Sequence, residues 1–379
     1  MEIYVVQAGD TVSAIAEKYG VSPDTVIFDN QLIYPYELAI GQALLISNGE
    51  SEKTMTIKSN GYAYPSISRW VLDNTLPYLS ELSIFSYGFT EEGNLRTPML
   101  NEDWMIESAR NTSTLPILTL TPLGADGNFN SELISIVINN SAAINRLLDD
   151  LVMVMREKSY GGLDIDFEFI KAEDRDAFTE FVRRCTERMH QEGYQVSVDL
   201  APKTSANQRG ILYEGKDYRA IGEIADHVLV MTYEWGYTYG PPMAVAPLNM
   251  VRNVLEYAIT EIPPEKINMG IPNYGYDWEL PYERGITRAR TIGNVEAVRI
   301  AVSRGAEIKF DEVAMTPYFN YVSDGITHEV WFEDARSIQA KYDLIKELGL
   351  RGPGYWQVMQ LFRVLWLLLD DNFYISKED

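Results

Sequence analysis

The sequence predicts an α/β chain: a (β/α)8 TIM barrel with an α+β insertion between its seventh and eighth strands, preceded by a small β-α-α-β domain. Three observations lead there. Between residue 57 and the C-terminus, eight short β-rich runs alternate with helical patterns, the signature of parallel strands joined by crossover helices. The interval between the last two runs is far longer than the others. The first 47 residues carry a complete pattern of their own and end in a polar stretch.

In the small domain, Ile3-Tyr4-Val5-Val6 reads as a strand and Gly9-Asp10-Thr11 as a turn that starts a helix, with Val12, Ile15, Ala16 and Tyr19 at helical spacing. Ser22-Pro23-Asp24 opens a second helix through Val26, Ile27 and Asn30, with proline in the first turn where its missing N–H costs nothing. Gly41-Gln42 leads into a closing strand, Ala43 to Ile46. A polar linker is expected over residues 48–56, and the barrel over residues 57–379.

The eight barrel strands are expected at Gly61 to Tyr64, Leu82 to Tyr87, Leu115 to Leu120, Leu163 to Glu168, Gln195 to Leu200, His227 to Tyr233, Lys266 to Pro272 and Gly352 to Gln357. The insertion spans about residues 278–333, with strands at Val313 to Val322 and Glu329 to Glu333 and a helix from Asn294 to Arg304. Loops that follow barrel strands line the active face, so the insertion is expected to wall a substrate cleft.

Composition narrows the function. The 379 residues carry 32 Lys and Arg against 55 Asp and Glu, a net charge of −23. Such a field repels phosphate backbones, so nucleic acid is not expected as a partner. One cysteine, Cys185, leaves no intrachain disulfide, and His190, His227 and His328 lie far apart, so neither a metal site nor a cofactor is expected. The apolar run Val364 to Leu369 is much shorter than the roughly 20 residues that cross a bilayer. Met1-Glu2-Ile3-Tyr4 lacks the basic start and apolar stretch of a signal peptide. A monomer without membrane insertion is expected.

The chemistry concentrates in Tyr160-Gly161-Gly162-Leu163-Asp164-Ile165-Asp166-Phe167-Glu168-Phe169. Strand alternation puts Asp164, Asp166 and Glu168 on one face and Leu163, Ile165, Phe167 and Phe169 on the other. Adjacent buried acids are costly unless they share protons or hold a cation. Three arrangements fit: acids facing solvent, a hard-cation site, or a proton-sharing cluster with Glu168 as a general acid of raised pKa. A barrel strand buried on both faces argues against the first. Hard cations usually draw ligands from loops, which argues against the second.

Two resemblances sharpen this. Tyr4 to Thr11, Ile15-Ala16, Asn30 and Leu38 to Ile46 resemble the LysM module, which implies N-acetylglucosamine-containing glycans bound near Gly9, Asp10, Thr11 and Asn30. Leu163 to Glu168 resembles the strand-four signature D-x-x-D-x-D-x-E of family 18 glycoside hydrolases. Met231-Thr232-Tyr233-Glu234-Trp235 is similar to that family's M-x-Y-D motif, and Gly354-Tyr355-Trp356-Gln357 to its last strand. Gly161 stands where the signature has its first Asp, and Glu234 where the second motif has Asp. Together with Gly61 to Pro65, these segments resemble the spore cortex-lytic N-acetylglucosaminidases of endospore formers.

The resemblance implies a retaining glycosidase acting on peptidoglycan, in spore coat, cortex or cell wall, through attack by the substrate's own acetamido oxygen. Its implied catalytic residues are Glu168, the proton donor; Asp166, which holds the acetamido N–H; Asp164, which exchanges a proton with Asp166; and Tyr233, which donates to the acetamido carbonyl. The implied substrate-binding residues are Trp356, Met231, Glu234, Trp235, Tyr87, Asn273 and Tyr274. Tyr237, Tyr239, Tyr276 and Trp278 are expected near the subsite walls. A chitinase, or a non-catalytic glycan-binding spore coat protein, is the alternative.

Overall fold

The computed structural model describes residues 1–49, 53–124 and 127–377. Eight parallel strands close into a barrel: β1 (Asn60–Ala63), β2 (Glu81–Phe89), β3 (Leu115–Leu120), β4 (Gly162–Ile165), β5 (Gln195–Leu200), β6 (His227–Val230), β7 (Ile267–Pro272) and β8 (Gly352–Trp356). Each pairs with its sequence neighbours, and β1 closes the circle by pairing with both β2 and β8. Side chains turned outward from the strands meet the surrounding helices in one continuous apolar core.

The helix that feeds β4 shows how sequence places the site. Ser141–Lys158 is capped by Asn140, whose side chain accepts from the Ala142 and Ala143 amides, and its Ile144, Leu147, Leu151 and Met155 stripe is buried. Ser159, at φ 64, ends the helix and turns the chain into β4. Phe167 then stacks at 5.5 Å on Phe181 of the next helix, Arg175–Gln191. Fully burying such a ring contributes about 1.5–3 kcal/mol, which fixes the outward face of the strand and so the direction of its acids.

Two strands are shorter than expected. β4 ends at Ile165 and β6 at Val230. One inter-strand bond follows each strand end, from the Asp166 amide to the Leu120 carbonyl at 3.0 Å and from the Met231 amide to the Leu200 carbonyl at 2.9 Å; after the second, the Thr232 amide donates to the Val230 carbonyl at 2.8 Å and the Tyr233 amide to that of Met231 at 2.9 Å. The irregular backbone is what presents Glu168 and Tyr233 to the mouth.

The insertion is a five-stranded antiparallel sheet ordered Arg290–Ile292, Gly275–Leu280, Ile326–Trp331, Thr316–Ser323, Lys309–Asp311, with the helix Asn294–Arg304 against it. It begins directly after β7, earlier than the expected residue 278. An Asp324-Gly325 turn with both φ positive joins its longest hairpin, the geometry that matches strand twist.

Of the expected linker, residues 50–52 lie outside the described residues. Its far end is not a linker: Met55–Ile57 pairs in parallel with the C-terminal strand Phe373–Ile375. The small domain, strands Glu2–Val5 and Ala43–Ile46 around helices Val12–Tyr19 and Pro23–Asp29, is seated on the barrel. Gln31 donates to the Leu361 carbonyl at 3.1 Å and accepts from the Arg363 amide at 2.7 Å. The Ile308 amide donates to the Ile40 carbonyl at 2.9 Å. At Gly41 a Cβ would lie 1.8 Å from the Ile308 carbonyl oxygen, so only glycine permits this approach. Among the described residues no helix is long and apolar enough to cross a membrane.

The barrel's opposite end is tied by one buried carboxylate. Glu81 of β2 receives Arg351 at 2.6 Å and Gln195 at 2.8 Å, with His227 at 3.3 Å, joining the starts of β2, β5, β6 and β8. Burial works to raise this carboxyl, yet Arg351 and His227 hold it well below the usual range. Arg351→Met strands that charge and is expected to cost about 3–5 kcal/mol in urea unfolding. A loss under 1 kcal/mol would show that Glu81 is not the tie.

Candidate active site

At the carboxyl ends of the strands lies a cleft of about 450 Å³, lined by Asp166, Glu168, Asp199, Tyr213, Met231, Tyr233, Glu234, Trp235 and Trp356, with Tyr64, Phe85 and Phe129 along one side. The acids of β4 and of the chain just after it form a gradient toward it. Asp164 is fully buried, Asp166 is 7% exposed, and Glu168 is half-buried at the mouth. Their common face is the one that alternation assigns.

The electrostatics are those of crowding. Asp164 accepts from the Ser197 hydroxyl at 2.6 Å, and burial pushes its carboxyl up to about 6 against the Ser197, Tyr62 and Thr119 side chains. Asp166 has one oxygen without a partner. Burial, then the charges of Glu168 and Asp164, raise it well above the ordinary carboxylate range. Asp199, on β5 directly beside β4, is raised in the same direction by burial and by Asp164 and Asp166, although Tyr62 donates to it at 2.8 Å. Each of the three aspartates is raised by burial and by neighbouring charge, the condition under which adjacent carboxyls share protons.

One cation opposes them. Lys216, fully buried, donates to the Asp199 carbonyl at 3.0 Å and lies within electrostatic reach of Asp166, Glu168 and Asp199. Its segment is held by Lys203, which donates to the Lys216 carbonyl at 3.1 Å. Tyr233 faces the same acids. Burial and then Asp199, Asp166 and Glu168 raise its hydroxyl well above the usual value, keeping it a proton-bearing donor.

The aromatic floor is Trp356 of β8, edge-on to Phe85 at 5.0 Å and to Tyr64 at 6.0 Å, with Met231 in the same apolar cluster. Glu234, at φ 69, accepts from the hydroxyls of Tyr274 and Tyr276. Burial raises its carboxyl, the two tyrosine hydroxyls work against that, and the charge of Glu168 adds to it.

A family model for the glycosyl hydrolases of family 18 matches residues 75–360. The chain belongs to that family. A LysM domain model matches residues 4–47. The cortical fragment-lytic enzyme of Bacillus subtilis (strain 168) is 38% identical over 432 aligned positions, covering 100% of this chain and 99% of that protein. The spore cortex-lytic enzyme SleL of Bacillus megaterium superposes with a TM-score of 0.93 at 35% identity, covering 99% of this chain and 98% of that one. SleL of Bacillus cereus gives a TM-score of 0.94 at 33% identity over 100% and 99% of the two chains.

Within this glycosidase, several expected positions fall elsewhere. Tyr87 is fully buried away from the cleft, its hydroxyl on Glu102 and its ring against Tyr160. The register shifts between Ile84 and Tyr87, so Phe85 turns inward to the cleft and Tyr87 outward to the core. Asn273 spends its amide on the Gln357 and Gln360 carbonyls, at 3.1 and 3.0 Å, and so braces the chain after Trp356. Tyr274 stands behind Glu234 and does not line the cleft. Trp278 lies in the insertion's interior with its indole on the Gly240 carbonyl. In the LysM domain, Asn30 is bonded at 2.7–2.9 Å to the backbone of Val26 and Leu45. Asp10 and Thr11 border a groove with Ile27, Tyr36, Leu38 and Val302, while Gly9, at φ 87, makes the turn before it.

The two departures from the family motif have different consequences. Gly161 shares its face with Leu163, and a Cβ there would lie 2.0 Å from the Leu115 side chain. An aspartate at 161 would therefore point away from the cleft, and its absence leaves the acid cluster intact. Glu234 reaches the cleft and is paired. Sequence reasoning passed over Asp199 and Lys216. The signal was present in Gln195-Val196-Ser197-Val198-Asp199-Leu200, where the alternation that buries Val196 and Val198 against helices turns Ser197 and Asp199 inward.

Removing the cation tests this balance. An acid whose folded pKa lies above its unfolded value weakens the fold as pH rises past the unfolded value, and without Lys216 the aspartates move higher still. Lys216→Met is expected to cost little at pH 4 and progressively more toward pH 8, by about 1.4 kcal/mol for each unit gained, in urea unfolding at the two pH values. A larger loss at pH 4 would contradict the shared-proton arrangement.

Proposed function

We propose that the chain is a retaining N-acetylglucosaminidase that cleaves peptidoglycan of the spore cortex or its fragments. The observation that carries this reading is Asp166, which lines the cleft beside Glu168 with one carboxylate oxygen free of any hydrogen bond. A buried acceptor without a donor costs about 1–3 kcal/mol, and an acetamido N–H entering the cleft supplies the donor.

In the reaction, Glu168 gives its proton to the glycosidic oxygen as the acetamido carbonyl oxygen attacks the anomeric carbon, and the leaving sugar departs. Asp166 holds the acetamido N–H and balances the positive oxazolinium ion, charge that exists only along the reaction path. Asp164 adjusts the proton on Asp166, and Tyr233 donates to the acetamido carbonyl and orients it. Water then opens the ring and returns a proton to Glu168, with the configuration retained. Trp356 supports the sugar by burying its C–H face while the hydroxyls stay free. Met231, Glu234 and Trp235 border the same sugar. The LysM groove at Asp10 and Thr11 holds a second stretch of glycan. The protein acts as a monomer, in the spore coat or cortex, and takes neither nucleic acid nor a membrane as partner.

The names of the relatives support cortical glycan as the substrate, and product analysis decides. Digestion of cortex peptidoglycan is expected to yield new reducing-end N-acetylglucosamine by mass spectrometry. Glu168→Gln is expected to lower that rate by about 10²–10⁴-fold or more, since the shape is kept and the transferable proton is not. Cleavage confined to chitin oligomers would reassign the substrate, and binding without cleavage would make the barrel a glycan-binding module.

A further inference from the structure

The loop between β5 and the helix Tyr218–Ile224 holds a buried cation to which the reaction above gives no part. Lys216 is fully buried, and its ammonium donates to the Asp199 carbonyl at 3.0 Å. The residue before it is pressed against the chain that carries the proton donor. A Cβ at Gly215 would lie 2.4 Å from the carbonyl oxygen of Ile170, two residues after Glu168, so only glycine permits this approach. Three further bonds hold the loop. Buried Lys203 donates to the Lys216 carbonyl at 3.1 Å, the Lys203 amide donates to the Tyr218 hydroxyl at 3.1 Å, and Arg175 pairs with Asp217 at 2.5 Å.

A lysine buried this completely is rare unless carboxylates answer its charge. Here burial works against the ammonium while Asp166, Glu168 and Asp199 work for it. The effect runs both ways. Burial, Glu168 and Asp164 favour the neutral form of Asp166, and the charge that opposes them is that of Lys216. The Tyr64 and Tyr233 hydroxyls and the Asp199 carboxyl also face Asp166, and none of these brings positive charge. An oxazolinium ion is stabilised by a full negative charge beside it far more than by the dipole of a protonated carboxyl.

We propose that Lys216 is a positioning residue of the reaction: its buried positive charge, anchored at the Asp199 carbonyl, makes Asp166 the anion that balances the oxazolinium ion. Lys216 does not line the cleft, so it acts through the carboxyls and touches no sugar. The inference rests on the proposed substrate-assisted reaction.

Two variants of the full chain separate charge from structure. Lys216→Met removes the ammonium, and Lys216→Gln removes its charge but keeps a neutral donor for the Asp199 carbonyl. Hydrolysis of soluble cortex fragments is followed from pH 4 to pH 8, with melting curves at each pH to establish that the variant is folded. Taking an opposite charge away from a carboxyl raises its pKa by about 1–3 units, so the acid limb of the kcat profile is expected to move to higher pH by that amount in both variants. Below the displaced limb kcat falls by about tenfold per unit of displacement and recovers as pH rises, while KM stays as in the unaltered chain. An acid limb left in place in either folded variant, or a loss of kcat equal at every pH, would overturn the proposal. Absence of hydrolysis by the unaltered chain at every pH would instead strike at the glycosidase reading on which it rests.

Discussion

Three aspartates and one lysine buried together inside a closed barrel are the constraint on which the active face depends. Asp164 and Asp199 come from two adjacent strands and Asp166 follows the first directly, and the closed sheet keeps them from moving apart. Crowded carboxyls in low dielectric keep protons at pH values where exposed ones have lost them. The charge of Lys216 works the other way, lowering Asp166 and Asp199. The outcome is a row of carboxyls raised by burial and by one another, with Glu168 at the end that meets the cleft.

The surroundings serve that row. Outward-facing Leu163, Ile165 and Phe167 are held by helices, so the inward side chains have one available direction. Asn273 braces the chain behind Trp356, and Tyr274 with Tyr276 restrains Glu234. At the far end, Glu81 binds four strand starts together, and so the barrel is tied at the end opposite its chemistry. The seated LysM domain carries a second groove, bordered by Asp10 and Thr11.

Much of this was legible in the residues. The alternation of Leu163 to Glu168 gave the direction of three acids, because period two is a property of any strand. Eight apolar runs gave the barrel, and the long interval before β8 gave the insertion. What alternation misses is any place where the period breaks. The register shift in β2 turned Tyr87 away from the cleft that Phe85 faces, and no local composition marks it. Asn273 and Asn30 look like ligand-binding amides in sequence, yet each is consumed by backbone carbonyls brought near only by folding. Lys216 lies far along the chain from the acids it opposes, so its role is a property of the closed barrel alone.

The central claim is that these aspartates share protons. Selective carbon-13 labelling of the aspartate carboxyls and titration by NMR test it most directly. The account predicts aspartate resonances with midpoints well above the ordinary value of about 3.9, and at least one of them lost in Asp166→Asn. If every aspartate in the folded chain titrates near that ordinary value, the acid row is not a proton-sharing cluster, and the chemistry assigned to it does not hold.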